Sequence, residues 1–339
     1  MRNKKWITLA AAVVLAVTAL PLGVFAAKKD ETKLAKVILN EVAHSIFYAP
    51  QYVAIEEGYF SEEGLDLTLI TGFGADKVLT ALISGEADIG FMGAEASIYA
   101  YQEGATDPVV NFAQLTQRAG NFLVAREEMP DFKWEYLKGK KVLGGRKGGM
   151  PEMVFEYILK KNGIDPQKDL TIDQGIDFGS TAAAFTGDDS AAYTVEFEPS
   201  ATILEKEGAG YVVASLGEAS GYVPYTSYSA KVSYMEENPE IIQKFTNALQ
   251  KGMDYVQRHT PEEIAEVIAP QFKETDIETI TTIVKRYYDQ DTWKENLIFE
   301  KDSFELLQDI LEDAGELSQR VNYEDLVQTS SAEKASKDK

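Results

Sequence analysis

The chain has 339 residues, with 33 Lys plus Arg against 55 Asp plus Glu for a formal charge of −22, and it contains two histidines and no cysteine. Such acidity excludes a nucleic-acid binder, which grips phosphate with a basic face, and serves solubility and weak self-association instead, so a monomer is expected. Lacking thiols, the chain has no disulfide, thiolate metal site or cysteine nucleophile, and two histidines argue against a histidine-rich site, so neither metal nor cofactor is expected.

The elements begin with an export signal. Arg2, Lys4 and Lys5 make a basic start, residues 6–20 are an apolar run, and Pro21 and Gly23 break it. Val24, Phe25 and Ala26 then offer a cleavage site before Ala27. Residues 6–27 come close to the roughly 20 needed to span a bilayer, which leaves an uncleaved anchor as the alternative. The helix breakers favour removal, so residues 1–26 are read as a signal peptide. The mature protein is then exported to the periplasm or the extracellular face of the membrane, with no lipid-attachment cysteine.

After a charged leader at 27–33, apolar runs alternate with helical patterns, which predicts α/β architecture with largely parallel sheets. The first set has strands at 37–39, 65–70, 87–91 and 109–114, with helices at 50–57, 76–84 and 94–103. Pro50 starts the first of these helices and Gly58 stops it. A second set has strands at 122–125, 141–144, 191–195 and 211–214, with helices at 150–162, 180–186 and 198–207. The two sets echo each other, since a strand, an acidic helix start and a Glu-Gly end recur at 83–104 and 185–208.

Beyond residue 238 the pattern is helical. Asn238 caps a helix begun by Pro239, with Ile241, Phe245, Ala248, Leu249 and Val256 as its apolar stripe. Thr260-Pro261-Glu262-Glu263 is a capping box with proline at the first helical position. Asp276 and Ser303 open two further helices, the last ending at Gly315. The polar tail at 328–339 is expected to be disordered.

Several segments together carry a resemblance. They are the helix and turn from Ala49 to Phe60, Gly85-Glu86-Ala87-Asp88-Ile89-Gly90, Leu137-Lys138-Gly139-Lys140-Lys141-Val142, and Glu198-Pro199. In this order the chain resembles the extracytoplasmic solute-binding proteins of ABC importers. The branch is the NMT1-like, periplasmic-binding type II group that captures sulfonates, taurine, nitrate and thiamine pyrimidine precursors. The resemblance implies two α/β lobes joined by a two-strand hinge, with extra C-terminal helices. Residues 34–118 and 227–327 would form the first lobe and 119–226 the second, with crossings near 118–121 and 223–228. It also implies an ABC permease and its ATPase as partners, and no chemistry done on the ligand.

In α/β lobes ligands bind beyond the carboxyl ends of the strands. That rule selects the loops at 40–48, 71–76, 92–95, 145–150 and 196–199. His44 is a candidate contact, although a lone loop histidine is more often merely solvated. Phe47 and Tyr48 offer aromatic faces and a polar tip, with lobe core as their other role. By the resemblance, Tyr48 falls where precursor binders place a polar ring. Gly72, Phe73 and Gly74 form a flexible turn that lets a backbone approach a ligand or simply turns.

Gly148 and Gly149 expose backbone N–H groups at a helix start, and Arg146 adds positive charge, so this turn could hold an anion or could be a solvated basic turn. Sulfonate-binding relatives use this region for theirs. Glu95 and Glu198 each sit in the first turn of a cleft-side helix, where the dipole stabilises carboxylates in any case. As ligand contacts they would accept hydrogen bonds from amino groups. Tyr225 joins the set from the second crossing.

Aromatics with acids lean toward a thiamine-precursor pyrimidine, and the Arg146 turn keeps an alkanesulfonate or taurine as the alternative. A thiamine-pyrimidine synthase-like enzyme is the alternative of another class, but that branch carries a cysteine cluster absent here.

Overall fold

The computed structural model describes residues 33–176 and 179–337. The export signal read at 1–26 lies outside the described residues. Among the described residues, ten strands form two five-stranded sheets. The first contains β1 (Ala35–Glu41), β2 (Leu65–Thr71), β3 (Ile89–Met92), β4 (Val109–Thr116) and β10 (Thr226–Lys231), in the order β2-β1-β3-β10-β4. The second contains β5 (Phe122–Ala125), β6 (Lys141–Leu143), β7 (Thr171–Asp173), β8 (Tyr193–Glu196) and β9 (Tyr211–Ser215), in the order β7-β6-β8-β5-β9.

Both sheets follow one plan. β1 runs parallel to β2 and β3, and β6 runs parallel to β7 and β8. The fourth place in each is an antiparallel strand, β10 between β3 and β4, and β5 between β8 and β9. In each sheet that reversed strand is the first one the chain lays down after crossing from the other sheet. The echo in the sequence therefore reflects two units built alike, and the fold is the two-lobed α/β arrangement.

Strand chemistry follows position. β4 and β2 are the two edges of the first sheet. β4 is buried along its whole length because C-terminal chain covers its outer side, bridging Asn111 to Val327 and Thr116 to Trp293, whereas β2 alternates between covered and exposed residues, as a one-sided strand should. Two strands carry too little apolar signal to be predicted. β7 is a three-residue edge strand with no fully buried residue. β10 reads Thr-Ser-Tyr-Ser-Ala-Lys yet is almost wholly buried. Its hydroxyls are satisfied internally, with Ser227 and Ser229 Oγ donating to Asn111 Oδ1 at 2.6 and 2.9 Å. Thr226 pairs with Thr116 at 2.5 Å. Polar residues fit an interior when every group has a partner.

The C-terminal region departs from expectation at three points. Within the expected tail, residues 328–337 are ordered, with a helix over Ser330–Ala335 that buries Ser331, Ala332 and Ala335. Gln243 Nε2 donates to the Ser331 carbonyl at 3.0 Å and Gln328 N to that of Asn111 at 2.9 Å, so small residues and backbone bonds anchor what composition alone reads as disordered. The helix expected to open at Ser303 spans Lys301–Ala314, with Glu300 at its cap position. Asn238 sits at the cap of Pro239–Arg258, but its side chain turns back to the Tyr234 carbonyl at 3.1 Å. Thr260 and Glu263 do form the reciprocal capping box.

The Pro239–Arg258 helix crosses Ala49–Glu56 at Gly252, where a Cβ would meet the Pro50 carbonyl oxygen at 2.2 Å and Ala54 Cβ at 3.1 Å. Gly252→Ala must therefore push the two helices apart. The expected outcome is a loss of about 1–3 kcal/mol, the usual range for overpacking, measured by urea unfolding.

Candidate functional site

The strand ends of the two sheets face a shared cavity of about 330 Å³, within the range of small-molecule sites. Val42 follows β1, Phe73, Gly74 and Asp76 follow β2, and Gly93 and Glu95 follow β3. From the second sheet come Gly145, Arg146, Gly149 and Met150 after β6, Ser180 after β7 and Phe197 after β8. Tyr48 adds a further aromatic wall, and Tyr225 and Thr226 close the back where the chain returns to the first sheet.

At the mouth the two sides touch. Arg146 pairs with Asp76 at 3.2 Å, Lys147 with Glu316 at 3.3 Å, and the Tyr99 hydroxyl donates to the Gly148 carbonyl at 3.2 Å. The Arg146 and Asp76 side chains are half exposed, so that pair contributes at most about 1 kcal/mol as an exposed bridge. Gly148 holds φ +75 and its N–H donates to Glu152 Oε2 at 3.2 Å, which shapes the lip.

Glu95 is the unusual group inside. It opens the helix Glu95–Gln102 and is only 3% exposed, and its Oε2 has no hydrogen-bond partner. The carboxylate folds back over Gly93, where a Cβ would come within 2.0 Å of Oε2. Burial pushes its carboxyl up to about 7, while backbone N–H groups of Glu95 and Met150 and the charge of Arg146 pull the other way. Tyr48 packs edge-on against Phe91 at 4.4 Å. Burial holds its phenol well above the ordinary value, and the charges of Glu41 and Glu95 add to that. The Tyr225 hydroxyl donates to Asn121 Oδ1 at 2.6 Å.

Of the residues singled out from the sequence, Tyr48, Phe73, Gly74, Glu95, Arg146, Gly149 and Tyr225 line this cavity. The others lie elsewhere. Phe47 is fully buried core, ringed by Tyr48, Phe197, Tyr225 and Tyr287, and its carbonyl accepts from Trp293 Nε1 at 2.9 Å. Gly72 allows close packing, since a Cβ there would meet Asn40 Oδ1 at 2.7 Å. Gly148 belongs to the lip.

Glu198 faces away from the cavity. It accepts from Thr202 N and Oγ1, both at 2.9 Å, and pairs with Arg286 at 2.7 Å. Arg286 also pairs with Glu205. The carboxylate thus caps its own helix and ties it to Ile277–Asp289. Phe197, one residue earlier, is the cavity residue of that loop. Ser180 follows β7, a strand the sequence did not reveal, so the strand-end rule missed it although a helix start was read there.

His44 is also outside the cavity. Its Nδ1 lies 2.9 Å from Glu41 Oε1 and its Nε2 2.9 Å from the Gln271 carbonyl. Both partners only accept, so the ring satisfies both as an imidazolium. Its pKa is raised, chiefly by the hydrogen bond to Glu41. Glu41 is fully buried and also takes bonds from Gln51, Tyr52 and Thr71 at 2.8, 2.8 and 3.0 Å. The pair clasps the β1 loop to the C-terminal helices.

Residues 46–264 match the model of the NMT1/THI5-like family. The chain is 47% identical over 314 residues to YtlA of Bacillus subtilis (strain 168), named as a candidate binding protein, covering 93% of this chain and 94% of that one. The chain belongs to the NMT1/THI5-like family.

Another relative is the 4-amino-5-hydroxymethyl-2-methylpyrimidine phosphate synthase of Aspergillus parasiticus, 26% identical over 62% of this chain and 63% of that one. Among solved structures, the alkanesulfonate-binding protein SsuA from Xanthomonas axonopodis pv. citri, bound to MOPS, superposes with a TM-score of 0.70 at 16% identity. It covers 88% of this chain and 99% of that one, so this family member shares the fold of periplasmic binding proteins. Among the described residues, no helix is long and apolar enough to cross a membrane.

The His44 clasp sets a pH dependence. A histidine raised on folding stabilises fully below its unfolded value of about 6.5, and that contribution fades as pH rises through the raised value. Urea unfolding of wild type and His44→Gln between pH 5.5 and 9 should show a stability advantage that shrinks with rising pH. A difference that stays flat contradicts the imidazolium assignment.

Proposed function

We propose that the protein is the solute-binding component of an ABC importer, exported, monomeric, and delivering one small molecule to a membrane permease and its ATPase. The carrying observation is the cavity itself, lined from both sheets, with its lips in contact through Arg146 and Asp76. Residues 34–118 with 227–327, and 119–226, are the two bodies that would move about the crossings. A solute drives such closure only by binding the closed form better than the open one. The names of YtlA and SsuA support a binding role.

A thiamine-precursor pyrimidine is the preferred ligand. Four aromatic rings, Tyr48, Phe73, Phe197 and Tyr225, suit a flat heterocycle, and Glu95 can accept from its amino group. An alkanesulfonate or taurine is less favoured, because Arg146 already has Asp76 as counter-charge. A ligand at a hundredfold excess over its Kd adds about 2.7 kcal/mol to stability.

Thermal melts against sulfonates, nitrate, pyrimidines, riboflavin and polyamines test the reading. A pyrimidine should raise the Tm by several degrees, Tyr48→Ala should abolish the shift, and Arg146→Ala should keep most of it. Loss in the Arg146 variant alone would favour the sulfonate. No shift with any compound, or turnover of one, contradicts the binding role.

A further inference from the structure

We propose that Glu95 decides which sign of charge the cavity accepts: its carboxylate fills, from within the protein, the anion position at the start of the Met150–Lys161 helix. The site then takes a solute that donates hydrogen bonds or is cationic, and refuses an anion. This inference rests on the reading of the cavity as a solute site.

The helix concerned has 12 residues, and its N-cap Gly149 supplies no side-chain cap. Pro151 has no N–H and those of Glu152 and Met153 donate to the Gly149 carbonyl at 3.1 and 3.0 Å, so Met150 supplies the N–H that attracts negative charge at this helix start. The Met150 N–H favours the ionised form of Glu95, which reaches it from the opposite sheet. Arg146, in the turn before the helix, adds attraction but is already paired with Asp76. Glu95 lines the cavity and is only 3% exposed, and its buried Oε2 has no partner within the protein. Gly93 makes this placement possible, since any side chain there would collide with the carboxylate.

Two like charges held close together away from bulk water repel strongly, so an incoming sulfonate would compete with a charge it cannot displace. Other ionisable groups around Glu95 are Tyr48, Tyr99 and Tyr225, whose phenols are pushed up by burial and by its charge, with Asp76 and Lys77 in the wall from its own sheet and Arg146 in the facing one. With its carboxyl near 7, Glu95 is charged at pH 8.5 and neutral at pH 6, so anion exclusion should lapse as pH falls.

Titration calorimetry with methanesulfonate and with hydroxymethylpyrimidine, on wild type and Glu95→Gln, tests this. Wild type should bind methanesulfonate at pH 6 but at least tenfold more weakly at pH 8.5, up to the tenfold per pH unit that one proton allows. Glu95→Gln should bind it equally at both pH values and lose at least tenfold in hydroxymethylpyrimidine affinity at pH 8.5. If the variant does not fold, the wild-type pH series alone decides. Wild type that binds hydroxymethylpyrimidine while its methanesulfonate affinity stays level from pH 6 to 8.5 overturns the role of Glu95 and leaves solute capture standing. Binding of neither probe by either protein overturns both.

Discussion

The chain passes between its two sheets through two short segments, between Thr116 and Phe122 and between Ser215 and Thr226. Most of what matters here follows from that constraint. Each passage delivers a reversed strand, β5 or β10, into a set of parallel ones. Parallel strands point their carboxyl ends one way, and loops at those ends collect helix starts and side chains. Two sheets built this way and joined at one side present those ends to each other, and the cavity is the space they leave.

Charge is handled differently near the joint and at the cavity. Near the joint, buried carboxylates are fully answered. Glu41 receives four donors, and Glu198 has Thr202 and Arg286. The helix carrying Arg286 also reaches the first passage, where the Tyr287 hydroxyl donates to the Gly120 carbonyl at 2.9 Å. Inside the cavity Glu95 is left one oxygen short. An unmet buried acceptor costs stability unless a ligand completes it, so we assign Glu95 to ligand capture and the clasps to the frame.

The sequence made the strand and helix order legible because most elements have the right period and the right punctuation. It failed where burial does not depend on apolar letters. β10 is polar and interior because Asn111 and Thr116 meet its hydroxyls. The tail helix holds on small residues and backbone bonds. Site residues followed the same division. Position after a strand identified Tyr48, Gly74, Glu95 and Arg146 as lining. The same rule also picked His44 and Glu198, whose orientation is set by Gln271 and Arg286, far along the chain. No local pattern announces such partners.

Hinged closure over a solute is the central claim, and a chain without cysteine lends itself to a distance measurement. Spin labels at Thr80→Cys, beside the first sheet's rim, and Thr186→Cys, in the helix before β8, report separation across the cleft by double electron–electron resonance. With hydroxymethylpyrimidine the distribution should collapse to one shorter, narrow distance from a broader and longer one. An unchanged distribution in the presence of a solute that raises the Tm would contradict closure.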